Sequence, residues 1–121
     1  MKQKIKIKTI KPHKQRYDTL GDYFYDELDT LQIRVSDCNN QWYERLIIIH
    51  EIIEEMMTRY RGISEMEITQ FDLNNIEAED PGSLPDAPYH AEHMFALKIE
   101  RMICDELGIN WGIYEKNTEN I

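Results

Sequence analysis

Cysteine is scarce in this chain of 121 residues: Cys38 and Cys104 are the only two, and they stand far apart. That excludes a disulfide framework or a zinc ribbon, both of which need closely spaced pairs. Long apolar runs are missing as well. The longest, Leu46 to Ile49, is far too short to cross a bilayer. The first residues alternate Lys with Ile and form no continuous apolar stretch, so no signal peptide is expected. Positive charge is in deficit, with 14 basic against 23 acidic residues and a formal net charge of -9. Nucleic acids and anionic membranes are therefore poor general partners, because phosphate contacts require a basic surface. No glycine-rich phosphate loop occurs, and neither cysteine has the setting of a covalent nucleophile. What remains is a cytoplasmic protein with one domain over residues 1–115 and a frayed tail over 116–121.

The few basic residues are unevenly placed. Lys2, Lys4, Lys6, Lys8, Lys11, Lys14 and Arg16 make up half of them, and all precede the first acid, Asp18. Such a segment suits an edge strand guarded by lysines against sheet-to-sheet pairing. A small anion-binding patch is the alternative.

Residues 4–10 alternate polar and apolar side chains and predict a strand. Residues 23–35 predict a hairpin, with Tyr23 and Tyr25 on one arm, Leu31, Ile33 and Val35 on the other, and Asp26 to Thr30 as its turn. A long helix follows from Trp42 to Arg61 and stops at Gly62. Ser64 and Glu67 form a capping-box pattern that opens a short helix over 65–75. Residues 77–89 hold three of the four prolines and predict a loop. Asp86 can cap a further long helix, with Pro88 in its first turn and Gly108 at its end. Strands followed by helices imply an α+β domain: an antiparallel sheet of about three strands, two long helices and a short one.

The first long helix carries "IIIHEIIEEMM" over residues 47–57. At about 100° per residue, His50, Glu54, Glu51 and Glu55 form one continuous stripe, and isoleucines and methionines fill the opposite arc. A solvated stripe explains this without chemistry. A second reading rests on spacing, since His50 and Glu54, four residues apart, can reach one ion from a single face. Glu51 follows the histidine directly and projects to the side of that ion.

The second long helix offers an independent clue. His90 sits at the polar margin with Lys98, Arg101 and Asp105, and is not expected to be a primary ligand. His93 and Glu100 fall instead among Ala96, Leu97, Cys104 and Leu107. A carboxylate on an apolar face is costly unless it is paired or metal-bound. His93 is thus a candidate third ligand, and Glu100 a fourth ligand or the partner that orients a metal-bound histidine.

With its histidine, adjacent glutamate and second helix, "HEIIE" resembles the motif of the zincin-like metallohydrolases, with Glu54 where their second histidine would stand. The resemblance implies zinc held by His50, Glu54 and His93, and a peptidase-like hydrolysis in which Glu51 takes a proton from the metal-activated water. Manganese or iron would also suit such ligands. An exposed edge strand, "LQIRV", would hold an extended peptide. Most of the chain also looks like small phage and bacterial proteins, which implies no activity. The alternative is therefore a non-enzymatic interaction module with a structural His/Glu cluster. The all-helical nucleotide pyrophosphatases, with paired acidic motifs on helices, do not fit: beyond Glu51 and Glu54, the acid pair in the right order, Glu77 and Asp80, lies in the proline-rich loop.

Overall fold

The computed structural model describes residues 2–119. Three strands form one sheet: β1 (Ile5–Ile10), β2 (Gly21–Tyr25) and β3 (Leu31–Ser36). Four helices follow: α1 (Gln41–Tyr60), α2 (Glu65–Asn74), α3 (His90–Leu107) and α4 (Trp111–Thr118). The α+β class holds, but the sheet is mixed. Its order is β1-β3-β2, with β1 parallel to β3 and β2 antiparallel to it.

This order corrects two expectations. The sheet is not wholly antiparallel, because the connection from β1 to β2 carries the chain past the position that β3 then fills. "LQIRV" is not an edge strand either. It is the central one, bonded on both sides and buried along most of its length. Leu31, Ile33 and Val35 point to the core, and centring them removes the most apolar surface from water. The edges are β1 and β2. The lysine-rich β1 is exposed along nearly all its length, as an edge guarded by charge should be.

Local chemistry sets the turns and helix ends. Asp26 Oδ1 accepts the amides of Leu28 and Thr30 and closes the β2–β3 turn. Asn40 caps α1 by accepting from the amides of Trp42 and Tyr43. Ser64 and Glu67 form the reciprocal capping box at α2. The third helix starts at His90, four residues beyond Asp86, because residues 84–90 form successive turns instead. The tail expected from residue 116 is helical through Thr118, where Asn110 caps α4 and Thr118 itself is buried. Residues 120 and 121, also placed in that tail, lie outside the described residues.

α1 lies across β2 and β3, and α3 packs along α1. Ile33, Val35, Leu46 and Cys104 are among the most deeply buried side chains. Cys104 is enclosed, and burial pushes its thiol up, so it remains unreactive. Among the described residues no helix is long and apolar enough to cross a membrane.

Candidate metal centre

The polar stripe of α1 faces inward. His50, Glu51, Glu54, Glu55 and Thr58 are all buried between the sheet and α3, and Ile52, Met56 and Tyr60 are on the exposed side. α3 presents Glu92, His93, Ala96, Glu100 and Cys104 to the interior. The two helices thus bring His50, Glu54 and His93 together, with one ligand atom of each within 4.8 Å of the other two.

Glu54 Oε2 is the hub. It lies 3.1 Å from His50 Nε2 and 2.9 Å from His93 Nδ1, and those two nitrogens are 3.2 Å apart. Three donors bound at 2.0–2.2 Å would be separated by about 3.4 Å in a tetrahedral site and about 3.0 Å at right angles. The observed triangle is near the second value, and widening it by a few tenths of an ångström reaches the first. Two imidazoles and a carboxylate can therefore hold a divalent ion with little movement.

The outer atoms of all three groups are also engaged. His50 Nδ1 lies 2.7 Å from Glu100 Oε1, and His93 Nε2 lies 2.9 Å from Asp80 Oδ2. Tyr23 Oη donates to Glu54 Oε1 at 3.0 Å. Tyr114 Oη, from α4, donates to the other oxygen of Glu100 at 2.5 Å. Carboxylates behind both histidines fix ring orientation and raise ligand basicity, as in metal sites generally. Glu100 is thus the partner of a candidate ligand, and its oxygens are spent on His50 and Tyr114.

Backbone placement supports the cluster. A Cβ at Gly82 would lie 2.5 Å from the His93 ring, so only glycine lets the Pro81–Ser83 turn close over that imidazole. A Cβ at Gly21 would lie 2.8 Å from Ile47 and 2.9 Å from Glu51, and its absence lets β2 approach α1. His90 stays outside, with Nδ1 facing the Gly82 carbonyl oxygen at 3.1 Å.

The charges are strongly coupled. Burial opposes charge on Glu54, but hydrogen bonds from His50 and His93 hold its pKa at about 2. Burial also opposes charge on His50, and the bonds to Glu100 and Glu54 outweigh it and raise the ring to about 11. For His93 the same contest, with Asp80 and Glu54 as partners, ends at about 9. Without a metal, both rings are imidazolium ions at neutral pH and donate to one carboxylate oxygen. Glu51 differs: burial, and next the charge of Glu54, push its carboxyl well above the usual range.

The cluster opens on a cleft of about 760 Å³, lined by residues of β2, α1, α2, α3, α4 and the loops at 17–20 and 76–81. Glu51 borders this cleft beside the candidate ligands. Asp80, Tyr23 and Tyr114 complete the cluster although nothing in the sequence assigns them to it. Asp80 sits in a proline-rich loop, and a tyrosine on a strand or short helix reads as core; only the three-dimensional approach to His93, Glu54 and Glu100 reveals them. Comparison of the chain with protein-family models, curated proteins and solved structures finds no match.

Proposed function

We propose that this protein is a divalent-metal-dependent hydrolase whose ion is held by His50, Glu54 and His93. One observation carries the reading: three buried donor atoms converge while carboxylates hold the outer nitrogens of both histidines. Zinc fits two imidazoles and a carboxylate, and such an ion supplies a water acidified to near neutrality. Glu51 borders the cleft next to these ligands, which supports the reading of it as the group that takes up the proton. The zincin-like character rests on the "HEIIE" helix and the ligand on a second helix. A peptide substrate would need an edge strand, and β2, which borders the cleft, is the candidate in place of β3.

The decisive experiment is elemental analysis of the purified protein, alone and with His50→Ala and His93→Ala. About one zinc per chain, lost in both variants, is expected. Metal retained by both variants overturns the assignment. Iron or manganese in place of zinc would keep the ligands and the hydrolytic reading and change only the identity of the ion.

A second reading is favoured by the closed hydrogen-bond network. Because protons alone satisfy every candidate ligand, the cluster can serve as a structural ion network in a non-enzymatic module. In that case the wild-type protein carries no stoichiometric metal, and added zinc leaves its melting temperature unchanged.

A further inference from the structure

Seven carboxylates among the described residues are buried, and six of them have partners. Asp22 is held by Arg16, Glu55 by Tyr25, Asp72 by Tyr17 and Tyr89, and Glu92 by Arg61. Glu54 and Glu100 belong to the histidine cluster. Glu51 alone makes no hydrogen bond or ion pair with a described residue, although only 9% of its surface is exposed. A buried carboxylate without a partner costs several kcal/mol unless something else satisfies it. What Glu51 borders is the cleft.

The charge of that cleft is one-sided. Four aspartates and seven glutamates line it together with His50 and His93, and no lysine or arginine does so. A divalent ion on the histidine cluster and Arg16 on Asp22 leave most of this negative charge standing. Glu77, Glu79, Glu115 and Glu119 at the rim are exposed. A cleft with walls of one sign focuses its field and concentrates ligands of the other. The same wall includes Tyr17 and Trp111, whose rings already draw Arg16 and Arg101 of this chain. Apart from His50 and His93, which are engaged by Glu54, Glu100 and Asp80, a substrate carboxylate or phosphate would find no cationic side chain in it.

We infer that the group bound in this cleft is a protonated amine or a guanidinium, seated toward Glu51 beside the metal centre. This names the substrate class of the proposed hydrolase and rests on that reading of the cleft. The amine comes either from a small polyamine or from a lysine or arginine side chain of a peptide. Anionic substrates are disfavoured by the same field.

Calorimetric titration of the zinc-loaded and the chelator-treated protein tests this, with metal content measured on both samples. The probes are 1,5-diaminopentane, Nα-acetyl-lysine amide, Nα-acetyl-arginine amide, the neutral Nα-acetyl-norleucine amide and the anionic Nα-acetyl-glutamate amide. The cationic probes should bind at least about tenfold more tightly than the neutral one, as loss of one charge-assisted contact predicts. That preference should shrink on raising salt from 0.05 to about 0.5 M, as screening requires. Glu51→Gln should remove most of it, and Glu77→Gln with Glu79→Gln at the exposed rim should weaken it less. Tighter binding of diaminopentane points to a free amine, and tighter binding of the amino-acid amides points to a peptide. The ligand series on the wild-type protein decides the matter even if Glu51→Gln does not fold. Equal binding of cationic and neutral probes, or preference for the anionic one, overturns the inference whether or not metal is present. Absence of metal uptake with cation preference intact overturns only the metal reading.

Discussion

The two long sides of α1 reverse the usual distribution of side chains. Its inward side holds His50, Glu51, Glu54, Glu55 and Thr58, all buried, and its outward side exposes Ile52 at 38%, Met56 at 57% and Tyr60 at 93%. A helix placed by apolar burial alone would turn the other way. What holds it in this orientation is a set of specific partners: Tyr23 for Glu54, Tyr25 for Glu55, and Glu100 and Glu54 for His50. Leu46 and Ile47, one turn before His50, supply the apolar anchor on the same side. Buried polar groups are tolerated only when satisfied, and a half-satisfied network is worse than an apolar core. Specific partners, not apolar area alone, therefore fix the inward side of α1 in one arrangement.

The sharpest way to break the comparison is on the inward side. His93→Ala or His50→Ala should reduce bound metal from one per chain to none, measured by elemental analysis, whereas His90→Ala should leave it unchanged because His90 faces a backbone carbonyl outside the cluster. Retention in His93→Ala with loss in His90→Ala would reverse the assignment.

The next effect is on pH dependence. His50 and His93 have pKa values raised to about 11 and about 9, and metal ligation needs both rings neutral. Metal uptake at pH 7 should therefore release about two protons, and apparent affinity should rise by about 100-fold per pH unit up to about pH 9. Competition with a chelator at pH 6, 7 and 8 measures this. In the metal-free protein the sign is opposite. The raised pKa values stabilise the fold fully below about pH 6.5, and that contribution is lost as pH climbs through about 9 and then 11. The melting temperature of the metal-free protein should fall from pH 7 to pH 10, and zinc should reverse the fall. A flat profile would mean that the rings are not held by Glu54, Glu100 and Asp80.

Glu100→Gln should lower metal affinity by roughly 10- to 100-fold while leaving one site per chain, the usual loss when the carboxylate behind a ligating histidine is removed. Tyr114→Phe removes only the hydrogen bond to Glu100 and should cost about 1 kcal/mol in thermal or denaturant unfolding. The smallest effect belongs to the outward side. Met56→Gln should change stability by no more than about 0.5 kcal/mol, as for other exposed positions. A larger loss would show that the apolar side of α1 is covered in solution.

Much of the fold was legible in local patterns. The alternation over 4–10 and 23–35, the box of Ser64 and Glu67 and the stops at Gly62 and Gly108 depend on neighbours within a few residues, so reading along the chain locates them. Strand order was not legible, because Leu31, Ile33 and Val35 alternate equally well in an edge or a central strand. α4 escaped because its eight residues show little amphipathic pattern, and it is fixed by the Asn110 cap and by Tyr114 and Thr118 packing inward.

The sequence by itself determined that His50 and Glu54 share a helix face, since four residues make one turn, and that His93 and Glu100 lie with apolar neighbours on another helix. It left open whether the α1 stripe was wet or buried, because a polar stripe reads the same in either setting. Only the tertiary structure decided that, by laying α1 with its carboxylates against the sheet and α3. It also brought Asp80 from the loop and Tyr114 from α4 behind the two inward-facing helices. Contacts across more than a dozen residues depend on how elements dock, and no local periodicity encodes them.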